Sequence, residues 1–155
     1  MNLASLLHPG VVKVPLEGMS KDEVIAELAE LLVRSGKMKN REVMLDALMA
    51  REDKGSTGIG EGVAIPHARS DELDTIALAV GISREGVEFE AVDDGPVYLI
   101  FLLMASPARP DLNVEALADI GHLVLIPSFY PKLIEAPDAE ALIALIAEAQ
   151  QNTDE

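Results

Sequence analysis

The 155-residue chain contains no cysteine and no tryptophan. Without thiols it forms no disulfide, no thiolate zinc site and no cysteine nucleophile. Aromatic residues make up only 3% of the chain. That argues against base-stacking surfaces for single-stranded nucleic acid and leaves the core to Leu, Ile, Val, Ala and Met. Positive charge is scarce as well: 12 Lys and Arg stand against 27 Asp and Glu, a net charge of −15. Such a field repels phosphate backbones, so neither DNA nor RNA is an expected partner, and it attracts basic protein surfaces. It also means that an anion such as a phosphoryl group needs a local cationic site. Long apolar runs are missing too. The longest, Val97 to Ala105, falls far short of the ~20 residues of a membrane helix. Residues Met1 to Pro9 lack the basic and apolar regions of a signal peptide. The expectation is a soluble cytoplasmic protein without membrane insertion.

What is present fits one globular domain over residues 1–155, with 49% hydrophobic residues and no internal repeat or linker. Val11 to Val14 reads as a first strand closed by Pro15. Ser20-Lys21-Asp22-Glu23 is a capping box opening a helix to about Ser35, with Val24, Leu28, Leu31 and Leu32 inward and Gly36 as its stop. Asn40 caps a second helix ending near Arg51, with Val43, Met44, Ala47 and Leu48 inward. Thr75–Ser83, Val87–Phe89 and the nearly all-apolar Val97–Met104 read as strands, the last one central and covered on both faces. Helical segments are expected at about Leu112–Leu125, Ser128–Glu135 and Asp138–Gln150. The fold class is therefore α/β (α+β), a single domain with a mixed β-sheet flanked by helices.

Chemistry concentrates in Gly55 to Ala68. Four glycines in eight residues allow a tight turn that exposes backbone N–H groups. Val63-Ala64-Ile65 then reads as a brief buried strand ended by Pro66, which leaves His67 on a stiff tether at a strand end. By itself His67 is open to four readings: nucleophile, general base, metal ligand or structural residue. A metal site is weakly supported, since only His8 and His122 could join and neither has ligand spacing. No Gly-x-Ser-x-Gly elbow and no Gly-Lys-Ser/Thr appears, and the run after Gly58-x-Gly60-x-Gly62 is strand-like rather than helical. No metal or cofactor is expected.

Ala50-Arg51-Glu52, Gly55-Ser56-Thr57-Gly58-Ile59-Gly60 and Ala64-Ile65-Pro66-His67-Ala68 together closely resemble the fructose/mannitol-type (type-2) IIA domain of the bacterial phosphoenolpyruvate-dependent phosphotransferase system, which includes the stand-alone nitrogen-regulatory IIA proteins. The resemblance implies that His67 accepts a phosphoryl group from the phosphohistidine of HPr or a paralogous carrier. Arg51 matches the family's site arginine and would stabilise the phosphate. The Thr57 hydroxyl would bond either phosphate or the turn, and the glycine loop could supply amide donors. Arg69 reads as a solvated surface charge. Where such domains carry a second histidine, this chain has Asn113, in Asn113-Val114-Glu115-Ala116-Leu117. Helical phase puts His122 on the polar face with Glu115 and Asp119. The implied function is a phosphocarrier, a phosphotransferase component rather than a stand-alone enzyme. It would pass phosphate to a separate IIB protein for sugar transport or act as a phosphorylation-state regulator of a target protein. The alternative is a non-catalytic regulatory binding module on the same fold.

Overall fold

The computed structural model describes the backbone of residues 1–154 and the side chains of residues 1–151. Its centre is the apolar run read as a covered strand. This strand, β6 (Val97–Ala105), pairs antiparallel with β5 (Ile76–Val87) on one side. On its other side it pairs in parallel with β3 (Val63–Ala64) and then β4 (His67–Arg69). Completing the sheet, β1 (Val12–Lys13) joins β5 in parallel and β2 (Gly58–Gly60) joins β3 antiparallel, in the order β1-β5-β6-β3-β2. Leu99 through Ala105 are all 0% exposed. Successive side chains point to opposite faces, so both faces of the sheet are covered.

The helices begin where their caps indicate. In α1 (Lys21–Arg34) the Ser20 hydroxyl accepts the Glu23 N–H at 3.2 Å. Among the described residues the reciprocal bond from Glu23 is absent. Glu27, one turn on, instead accepts the N–H groups of Glu17 and Gly18 and ties the entry loop to the helix. Val24, Ile25, Leu28 and Leu32 are buried, each worth about 1.5–3 kcal/mol in apolar transfer. Gly36, at φ +79°, ends the helix, and the Lys37 N–H closes back on the Leu32 carbonyl. The Asn40 side chain caps α2 (Arg41–Asp53) by accepting the Val43 N–H at 3.1 Å. The inward stripe of α2 is Met44, Leu48 and, unexpectedly, Glu52. Val43, expected inward, is 55% exposed because it sits one residue, about 100°, off that stripe.

Two further departures concern the strands. Strand β5 runs on to Val87 and absorbs the separate strand expected at Val87–Phe89. It does so through a register shift after Ile82, where the Ser83 hydroxyl accepts the Gly86 N–H. Two short 3-10 turns, Leu3–Leu6 and Pro9–Val11, precede β1, and the second takes Val11 from the expected strand. The closing helices are α3 (Pro110–Val124), a short α4 (Tyr130–Ile134) and α5 (Ala139–Asp154).

Candidate functional site

His67 is fixed from the backbone outward. The Pro66 carbonyl accepts the Leu103 N–H at 2.9 Å, and His67 then pairs opposite Leu103 in β6. The strand was expected to end at Pro66. Pairing instead resumes at once, because proline lacks a donor but keeps its acceptor. His67 is thus the first residue of β4, not a residue beyond a strand end. Its ring Nδ1 lies 2.7 Å from the Ile65 carbonyl oxygen. A carbonyl only accepts, so Nδ1 carries the proton and Nε2 keeps its lone pair.

The half-buried ring lines an open cleft of about 440 Å³ between the C-terminal end of α2, β4 and the first turns of α3. Arg51 enters from the last turn of α2 and Lys54, three residues on, from the position that caps it. Arg69 lies two residues from His67 on β4 and so on the same face of the sheet. Asn113 reaches the cleft from α3. The lining holds three cations and no carboxylate. Among the described residues none of those three cations forms an ion pair, a property they share with Lys37, Lys39, Arg84 and Lys132 and not with Lys13, Lys21, Arg34, Arg41 and Arg109. Arg51 Nη1 donates to the Gly55 carbonyl at 2.7 Å. That bond steadies the guanidinium while leaving its other N–H groups available.

Thr57 is not in the cleft. It is buried at 4% exposure; its hydroxyl donates to the Glu52 carboxylate, and its N–H reaches the same group at 3.2 Å. The glycine-rich segment forms the β2–β3 hairpin, and none of its residues lines the cleft. Its amides have other partners: Gly58 N–H bonds the Ser56 hydroxyl at 3.0 Å and Glu61 N–H bonds Asp93 at 2.9 Å. The N–H groups of Glu61 and Gly95 hold the Asp93 carboxyl below the usual carboxylate range. Gly62 turns the hairpin at φ +84°, where a Cβ would lie 2.0 Å from the Tyr130 hydroxyl.

Of the residues singled out in the sequence, His67, Arg51 and Asn113 therefore come together, and Thr57 does not. Lys54 was missed, and Arg69, exposed as expected, also borders the cleft. Both were visible as i+3 from Arg51 and i+2 from His67. His122 is exposed on the far side of α3 from this chemistry, as its helical phase predicts. Among the described residues no group of three or more His, Asp or Glu is placed to hold a metal ion. Nor is any described helix long and apolar enough to cross a membrane.

The chain is similar to known proteins along nearly its whole length. The family model for the phosphoenolpyruvate-dependent sugar phosphotransferase system, EIIA 2, matches residues 5–149. A nitrogen regulatory protein of Pseudomonas aeruginosa is 33% identical over 150 residues, covering 97% of each chain. The fructose-specific EIIABC component of Bacillus subtilis is 34% identical over 146 residues, or 94% of this chain; the chain spans only 23% of that relative's length. The crystal structure of the nitrogen regulatory protein IIA-Ntr from Neisseria meningitidis superposes with a TM-score of 0.85 at 30% identity, covering 93% of this chain and 98% of that one. The chain therefore belongs to the EIIA 2 family of the phosphoenolpyruvate-dependent sugar phosphotransferase system, with a phosphoryl-carrier or regulatory role in that system.

Proposed function

We propose that the protein accepts a phosphoryl group on Nε2 of His67 from the phosphohistidine of HPr or a paralogous carrier. The observation that carries this reading is the Nδ1 bond to Ile65, which leaves a nucleophilic nitrogen in a cleft lined by three unpaired cations. In the transfer, the Nε2 lone pair attacks phosphorus in line with the departing ring nitrogen of the donor. The donor's N–P bond breaks and its electron pair returns to the donor imidazole, while the His67 proton stays on Nδ1, hydrogen-bonded to the Ile65 carbonyl. Arg51, Lys54 and Arg69 offset the phosphoryl charge against the −15 background, and Asn113 can donate an amide hydrogen bond to a phosphoryl oxygen. Asn113 neither carries charge nor exchanges a proton, so the chemistry rests on one histidine.

Onward transfer would go to a IIB protein, or the phosphorylation state would be read by a regulated target. The match across 97% of both chains to the Pseudomonas nitrogen regulatory protein supports the regulatory use. This reading puts the protein in the cytoplasm with its donor. Incubation with labelled phosphoenolpyruvate, enzyme I and HPr should give an acid-labile, alkali-stable label that His67→Ala abolishes. An unlabelled wild-type protein beside an active donor would overturn the carrier reading and leave the non-catalytic binding module.

A further inference from the structure

Glu52 is a carboxylate with its side chain only 4% exposed, in a fold where a buried charge is a poor source of net stability. All of its partners are accounted for. Lys21 Nζ lies 2.7 Å from Oε2, and the same ammonium sits over the Phe89 ring with its centroid 5.4 Å away. The Thr57 N–H donates to Oε2 at 3.2 Å and the Thr57 hydroxyl donates to Oε1. Thr57 in turn leads to the site. Its carbonyl accepts the Ile65 N–H at 3.0 Å, and the Ile65 carbonyl accepts the Nδ1 proton of His67 at 2.7 Å.

From this chain of contacts we infer that Glu52 is a positioning residue for phosphoryl transfer, holding Thr57 so that Ile65 presents the carbonyl that sets the His67 tautomer. The inference rests on His67 being the acceptor. The sheet by itself does not do this work. Ile65 falls between β3, which ends at Ala64, and β4, which begins at His67. Its amide is secured by Thr57 rather than by β6. The N–H and C=O of Thr57 belong to different peptide units, so Glu52 acts by fixing a position, not by polarising a continuous hydrogen-bonded wire. The sequence neighbour Arg51 points the opposite way, into the cleft. One helix end thus supplies a cation to the phosphate and an anchor to the histidine.

Glu52→Gln tests this directly. An amide offers one acceptor oxygen in place of two, so it cannot serve Lys21 and both Thr57 donors together. Thr57→Val removes only the hydroxyl link, and Thr57→Ser keeps it. Ring ¹⁵N NMR of His67 reads the tautomer, and transfer from phosphorylated HPr reads the rate. In wild type and Thr57→Ser the neutral ring is expected as the Nδ1–H form with similar rates. Glu52→Gln and Thr57→Val are expected to populate the Nε2–H form and to slow transfer by about ten- to a hundredfold, the scale of a misplacement near 1 Å. Folded Glu52→Gln or Thr57→Val protein with the wild-type tautomer and rate would overturn the inference. If wild type itself takes no phosphate, the acceptor assignment fails, while the tautomer measurement still decides whether Glu52 orients the ring.

Discussion

Arg51→Gln removes one of the three cleft cations but retains a donor for the Gly55 carbonyl. Two unit charges about 4 Å apart interact by about 1 kcal/mol in water and about 4 kcal/mol at an effective dielectric near 20. Arg51 is half-buried in an open cleft, so the value sits toward the watery limit, and a phosphoryl dianion nearly doubles it. The resulting loss is about 2 kcal/mol, or roughly a 30-fold shift of the transfer equilibrium toward phospho-HPr. The assay fixes the phospho-HPr to HPr ratio with enzyme I, phosphoenolpyruvate and pyruvate, then measures the phosphorylated fraction of each variant. The shift should shrink in 0.5 M salt, where screening shortens the reach of surface charge, and Arg51→Lys should recover part of it. A change below about twofold at low salt, or one indifferent to salt, would refute the electrostatic account.

Asn113→His adds a second imidazole with an ordinary pKa near 6.5; its transfer rate relative to wild type should rise as pH falls through that value, and superimposable pH–rate profiles would count against the position. Asp93, whose carboxyl is depressed by the N–H groups of Glu61 and Gly95, contributes stability that is fully present above the unfolded carboxylate pKa and lost as pH falls through the lower native one. The melting-temperature gap between wild type and Asp93→Ala should therefore close in acid, and a gap that persists to pH 2 would contradict the assignment. Gly62→Ala forces a side chain into the left-handed region against the Tyr130 hydroxyl and should cost about 1–3 kcal/mol in urea unfolding. An unchanged midpoint there would refute both the backbone strain and the clash with Tyr130.

Local signals were the legible ones. Ser20, Asn40 and Gly36 mark helix ends through bonds to backbone within a few residues, and they do so in the structure. Strand β6 was legible because an unbroken apolar run has few homes other than a sheet covered on both faces. His67 stood out through the glycines and the proline that frame it, Arg51 and Asn113 came through a family resemblance, and the fold brings all three to one cleft. What the sequence did not disclose depends on partners distant in the chain. β4 exists because Leu103 and its neighbours offer it a ladder, which the proline rule read locally could not reveal. The inward turn of α2 was misphased because its buried stripe ends in a charged residue, Glu52, whose burial makes sense only once Lys21 and Thr57 are beside it. Thr57 stayed open between phosphate and the turn for the same reason: the partner of its hydroxyl is a carboxylate five residues back.

The three unpaired cations have a consequence for how the molecule looks from outside. On a body carrying −15, the cleft of the unphosphorylated protein is a spot of opposite sign, a landmark that an acidic partner surface can use for registration. Adding a dianion at His67 does more than mark one residue: it cancels about two of the three positive charges and so removes most of that landmark. A partner could then distinguish the two forms by the strength of a field before touching the histidine, and the discrimination would fade with ionic strength.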